Sequence, residues 1–299
     1  MPASQNPPPA LDRRLLVGLL ALLCAIWGST WWAIRLCLAD QPPLTSAGLR
    51  FLLASAAMAL VVRGLRRLDQ APPPPTWLWL VAGGTNFAGS YGILYVAEQT
   101  VPSGLAAVLW SVFPLLMALA GTLWLGERLR PRQQLGFVVS FAGSVTVFAG
   151  DLDAGGSTGA ALLLLGSPLV SAAGTVLIKR YGAGTSSLQL NRNGMAFGAV
   201  LLTLAALLRE DPLAMPWSWQ GTLALGYLAL FGTALTFGVY FWLLQRVPAS
   251  QLSLVSYVTP VLAVLLAALV GDGSTGPLLW LGTTLVVLGV ALVVQKGMR

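Results

Sequence analysis

The feature that most constrains this chain is a series of apolar stretches, each about twenty residues long and almost free of internal charge, separated by short polar or Pro/Gly-rich gaps. A helix rises about 1.5 Å per residue, so about 20 apolar residues cross a hydrocarbon core of about 30 Å. A large soluble helical protein would need a charged face on each helix, and none is visible here. Of 299 residues, 9% are charged and 56% hydrophobic, with mean hydropathy +0.77; about a quarter of a soluble chain is charged. The expected fold class is therefore all-α integral membrane. The net charge of +7 excludes a nucleic-acid partner rather than suggesting one, because no soluble segment is long enough to gather a basic face. Cys24 and Cys37 both fall in the first stretch, about 20 Å apart along one helix and too distant for a disulfide.

Ten transmembrane spans are predicted, near 15–35, 44–63, 76–98, 102–125, 132–150, 157–178, 186–208, 219–245, 249–271 and 276–295. Breakers such as Pro42-Pro43, Pro72 to Pro75, Pro131 and Gly276-Pro277 fill the gaps. Alternate gaps carry Arg13 and Arg14, then Arg63, Arg66 and Arg67, then Arg128, Arg130 and Arg132. Lys179 with Arg180, Arg246, and Lys296 with Arg299 continue that series, while the intervening gaps hold Asp40, Glu98, Asp151 with Asp153, Arg209 with Glu210 and Asp211, and Asp272. Basic residues mark the cytoplasmic side, so both termini are expected in the cytoplasm and the protein in a bacterial-type inner (plasma) membrane. Residues 1–14 are expected to form a disordered cytoplasmic tail. The apolar run after it is too long for a signal-peptide core and reads as an uncleaved first span.

The sequence also matches itself at an offset of 146 residues. Gly28 aligns with Gly174, Ala88 with Ala234, Gln99 with Gln245, Pro102 with Pro248 and Pro114 with Pro260. Leu135-Gly136 matches Leu281-Gly282, and Gly143 matches Gly289. Five spans per repeat is an odd number, so the second repeat must sit inverted relative to the first. The expected organisation is two inverted five-helix repeats, 15–150 and 157–295. In transporters so built, the solute site lies near the midplane between repeats.

Trp27-Gly28-Ser29, Leu49-Arg50-Phe51, and the stretch from Pro102 through Pro114 to Gly126-Glu127-Arg128-Leu129 resemble the EamA family of the drug/metabolite transporter superfamily. The resemblance runs over about residues 15–295. It implies ten helices, cytoplasmic termini, a central cavity between the halves, and mostly export of amino acids, metabolites or drugs. One departure is visible: the second repeat has Gly271-Asp272-Gly273 where the family often repeats Gly-Glu.

Pro114 and Pro260 fall near the middle of spans four and nine, and an interior proline frees the carbonyl four residues back. Irregular backbone at that depth is tolerated where protein or a water-filled cavity covers it, so these kinks either line a solute site or are packed. Tyr91, Tyr95 and Glu98 share one face of span three with Asn86 nearby, and its counterpart, span eight, carries Phe237, Tyr240 and Phe241. Trp27, Trp110, Ser111, Ser256 and Tyr257 complete the candidate solute contacts. An aromatic lining with a few hydroxyls suits a zwitterion with an apolar side chain or a flat organic cation, or else it is helix packing. Charges inside spans are costly and usually functional. Arg50 and Arg192 could bind a carboxylate, snorkel or bond to a neighbouring helix. Glu98 and Glu127 are candidates for coupling or gating, against solvated or structural roles. Gly136 with Gly143, and Gly282 with Gly289, are spaced for close helix packing.

An enzyme is the weaker reading. The chain has no histidine, so a zinc or Cys-His site is not available, and no cofactor is expected. The expected partners are a small solute and the lipid bilayer, with a homodimer left open. The expected function is secondary transport, in the export direction, of small organic solutes such as amino acids or related metabolites. Efflux of organic cations, or a non-transporting scaffold or channel, are the alternatives.

Overall fold

A computed structural model describes residues 12–101, 106, 109–147, 158–212, 216, 218–269 and 277–294. Residues 1–11, Pro102, Asp151, Asp153, Trp217, Gly271 to Gly276, Lys296 and Arg299 lie outside the described residues. Among those described, every regular element is helical, and helix occurs at each of the ten predicted positions.

The first half comprises α1 (Arg13–Leu38), α2 (Pro43–Gly64), α3, α4 (Phe113–Trp124) and α5 (Pro131–Val147). The second comprises α6 (Thr158–Tyr181), α7 (Ser187–Arg209), α8, α9 and α10 (Pro277–Val294). Three helices are composite: α3 joins Thr76–Ala82, Gly83–Gly89 and Ser90–Ala97, α8 joins Trp219–Ala229, Leu230–Leu235 and Thr236–Leu244, and α9 joins Ala249–Leu252 and Val255–Leu269. Among the described residues, five helices are long and apolar enough to cross a membrane: Arg13–Leu38, Pro43–Gly64, Gly159–Tyr181, Ser187–Arg209 and Trp219–Leu244. Phe113–Trp124 and Trp280–Val293 are apolar but shorter. Trp77, Trp124, Trp219 and Trp280 are exposed near helix ends, as interfacial tryptophans are.

Local chemistry sets the helix starts. Ser186 accepts from the Gln189 N–H at 3.1 Å, Ser218 from the Gly221 N–H at 3.0 Å and Asp12 from the Arg14 N–H at 3.1 Å, each covering a backbone donor that has no partner within its helix. Two departures from the expected regularity stand out. The middle pieces of α3 and α8, Gly83–Gly89 and Leu230–Leu235, are π-helical, and at the 146-residue offset they coincide almost residue for residue. Pro114 lies in the first turn of α4, just after a turn at residues 111–112, rather than inside a continuous helix. Pro260 does lie inside its helix.

Packing crosses between the halves. The broadest helix contacts pair α2 with α7 and α5 with α10. Helix α1 packs on α8 and α9, and α6 packs on α3 and α4, so exchanging the halves maps the pattern onto itself. The α5–α10 pair runs antiparallel and touches backbone to backbone. A methyl added at Gly136 would sit 2.6 Å from the Gly289 carbonyl oxygen, one at Gly289 would sit 2.6 Å from that of Gly136, and one at Gly143 would sit 2.8 Å from that of Gly282. Only glycine permits that approach.

Candidate solute site

A cavity of about 90 Å³ lies among α1, α3, α4, α6, α8 and α9, and so draws its wall from both halves. Seven expected contact residues line it. The first half gives Trp27, Asn86, Tyr91 and the Trp110 that precedes α4, and the second gives Phe237, Tyr240 and Ser256. Pro260 lines it as well.

The π turns shape this wall. A π turn shifts the hydrogen-bond pattern and leaves a carbonyl without its usual helical donor. In α8 the Gly232 carbonyl accepts from Trp27 Nε1 at 3.3 Å and from Arg50 Nη2 at 3.2 Å. In α3 the Asn86 amide nitrogen donates to Ser171 O at 3.1 Å, Ser171 Oγ at 3.3 Å and Thr175 Oγ1 at 2.8 Å, tying α3 to α6. Space there is tight: a methyl at Gly174 would lie 1.9 Å from Thr85 Oγ1 and 2.2 Å from Asn86 Oδ1. Aromatic rings close the interior side, with centroids of Trp27 and Phe237 5.5 Å apart and those of Trp27 and Tyr240 5.4 Å apart.

Arg50 stands behind this wall and is 1% exposed, so it does not snorkel. Its Nε donates to Thr233 Oγ1 at 2.7 Å and its Nη1 to the Tyr95 hydroxyl at 3.1 Å, and its Cζ lies 4.7 Å from the Tyr91 ring centroid. None of its three hydrogen bonds goes to a carboxylate. A second cation held about 8 Å from it would be repelled by about 2 kcal/mol at an effective dielectric of about 20. Arg192 differs: it is half-buried, and its Nε donates to the adjacent Asn193 at 2.9 Å.

The other expected residues sit off the cavity. Tyr95 is held by Arg50. Tyr257 turns towards α5 and donates to Phe137 O at 3.0 Å. Ser111 and Pro114 are buried without lining the cavity. Glu98 follows α3 and has a buried, unpartnered Oε1. Glu127 caps the start of α9, accepting from the Ala249 N–H at 2.6 Å, from the Ser250 N–H at 3.2 Å and from the Ser250 hydroxyl. Glu210, just past α7, does the same at α2, accepting from the N–H groups of Leu44 and Thr45 at 2.8 Å each and from Thr45 Oγ1 at 2.7 Å. Asp69, past α2, accepts from the Ser186 hydroxyl at the start of α7. Each carboxylate meets the positive end of a helix dipole.

Sequence reasoning missed Thr30, Trp31 and Ile34 of α1 and Ser171 and Thr175 of α6, all of which line the cavity. Trp27, Thr30, Trp31 and Ile34 follow the i, i+3, i+4, i+7 spacing of one helix face, so that stripe was present in the sequence.

Long apolar helices around a small aromatic chamber walled by both halves define a membrane protein of the solute-transporter class. The chain belongs to the EamA-like transporter family, whose pattern matches it twice, at residues 15–149 and 158–295. It is similar to the uncharacterized inner membrane transporter YedA of Escherichia coli (strain K12), 34% identical over 280 residues that cover 93% of this chain and 90% of that protein. The uncharacterized transporter YvbV of Bacillus subtilis (strain 168) is 28% identical over 279 residues, covering 93% and 91%. A solved crystal structure, described only as that of a protein, matches with a TM-score of 0.82 over 96% of this chain and 100% of its own, at 20% identity, which shows a shared fold.

Proposed function

We propose that this protein is a secondary carrier that exports a small organic metabolite across the inner membrane by alternating access. On this reading it spans the bilayer ten times with both termini in the cytoplasm. Residues 15–150 and 157–295 form the two inverted repeats, and the cavity is the solute site. Trp27, Asn86, Tyr91, Trp110, Phe237, Tyr240 and Ser256 contact the solute. The observation that carries the reading is that both halves wall one cavity, so rocking one half against the other would change which side reaches it. The outward direction follows the EamA resemblance. An enzyme is not favoured, because the cavity lining offers no nucleophile–base pair and no acid.

Counterflow in proteoliposomes tests this. Vesicles are loaded with amino acids, organic cations or neutral metabolites, and uptake of the labelled solute is followed. Accelerated uptake with one class is expected of a carrier. A channel or scaffold gives no trans-stimulation with any class, and that result would overturn the carrier reading.

A further inference from the structure

The cavity wall carries its own selection rule. Two of the residues that line it each hold a buried polar atom without a partner: Trp110 Nε1 and the Tyr240 hydroxyl. Three neighbouring side chains have committed their donors: Thr30 Oγ1 donates to Trp27 O, Trp27 Nε1 to Gly232 O, and the Asn86 amide to Ser171 and Thr175. Tyr240 is only 4% exposed, so water does not readily reach its hydroxyl. An indole N–H can only donate, so the missing partner must be an acceptor. Buried donors left unmatched are costly, and an occupant that matches both removes that cost.

The charge around the cavity narrows the occupant further. Among the described residues no charged side chain lines the cavity, so neither end of a zwitterion meets a countercharge there. Aromatic faces do attract organic cations. Here, however, the buried guanidinium of Arg50 already sits over the ring of Tyr91, itself a wall residue, and a cation that carries no acceptor would also leave both donors unpaired. Ring faces of Trp27, Phe237 and Tyr240, with centroids 5.4 to 6.4 Å apart, suit a flat partner in stacked or edge-on contact.

We propose that the site selects an uncharged, planar aromatic molecule carrying a hydrogen-bond acceptor, a carbonyl or a ring nitrogen, and rejects organic cations. This rests on reading the cavity as the solute site.

A matched pair of probes tests the rule on the unaltered protein. Nicotinamide is flat, neutral and carries both acceptors; 1-methylnicotinamide keeps the ring and amide but adds a positive charge and loses the ring acceptor. Binding of each labelled probe to the purified full chain is measured by scintillation proximity, with benzamide and leucine as competitors. Nicotinamide is expected to bind saturably, benzamide to compete with it, and 1-methylnicotinamide to bind about thirtyfold more weakly. Tyr240→Phe, which keeps the ring shape, and Trp110→Phe, which keeps an aromatic ring but removes the indole N–H, are each expected to weaken nicotinamide binding by about fivefold. Equal or tighter binding of 1-methylnicotinamide or leucine overturns the rule. So does the absence of saturable nicotinamide or benzamide binding at millimolar concentration, or an unchanged affinity in both variants. Counterflow with the same probes separates the two ideas. Binding in the expected order without trans-stimulation keeps the rule and removes the carrier, whereas trans-stimulation by leucine alone keeps the carrier and removes the rule.

Discussion

The two π turns are the same backbone deviation put to opposite chemical uses. In α3 the turn presents a side chain: Asn86 reaches out and donates to α6. In α8 the position 146 residues later is Gly232, which has no side chain and instead receives Trp27 and Arg50 at its carbonyl. The adjacent pair differs likewise, for Phe87 is a buried ring against Phe237, with centroids 5.1 Å apart, while Thr233 accepts from Arg50. An arginine fills the role only once, because Ala196 stands 146 residues beyond Arg50. Duplication thus preserved the backbone and let the two sides of one cavity diverge, one tied through an amide and the other through a buried cation.

The sharpest way to break this comparison is Arg50→Met. It strands the Tyr95 hydroxyl and Thr233 in the interior and leaves the Gly232 carbonyl with Trp27 alone, and we expect a loss of about 3–5 kcal/mol, read as thermal unfolding in detergent. A variant as stable as the parent would show that α8 does not depend on the cation. Next comes Gly174→Ala, expected to cost about 2–3 kcal/mol by overpacking against Thr85 and Asn86. Its double mutant with Asn86→Ala should lose less than the sum of the singles, since the second change makes room for the first. Strict additivity would detach Gly174 from the α3 π turn. Smaller effects are expected at the helix ends. Glu127→Gln and Glu210→Gln should each cost about 1 kcal/mol, by similar amounts, because both carboxylates cap a helix of the other half. The smallest belongs to Arg192→Ala, below about 0.5 kcal/mol, and a loss as large as that of Arg50→Met would mean the two arginines are equivalent after all.

Much of this arrangement was legible in the sequence, for identifiable reasons. Apolar length alone located the helices, and the 146-residue offset matched the glycines spaced for close packing, though not the fact that the two pairs meet each other across the halves. Aromatic residues at matched places in the two repeats led to the cavity. What stayed hidden depended on rotation about helix axes and on backbone irregularity. Successive helical residues point about 100° apart, so Ser256 faces the cavity while Tyr257, next to it, bonds to Phe137 of α5. Pro114 reads from sequence as a kink, yet it initiates its helix, a place where proline's missing N–H costs nothing. The π turns leave no compositional mark beyond Gly83-Gly84 and an asparagine at Asn86. Glu127, next to Arg128, read as a gate or an ion pair, and its backbone acceptor role at α9 required knowing which helix start lies opposite.

The α5–α10 seam has a consequence for how the molecule is made. Ribosomes emit about 5–20 residues per second, so α5 is made well before α10 exists. Until then its glycine-lined face, with the buried Ser140, has no protein surface of matching closeness. A backbone-to-backbone contact between the halves is therefore completed last, and the nascent chain stays open along that edge until synthesis is nearly finished.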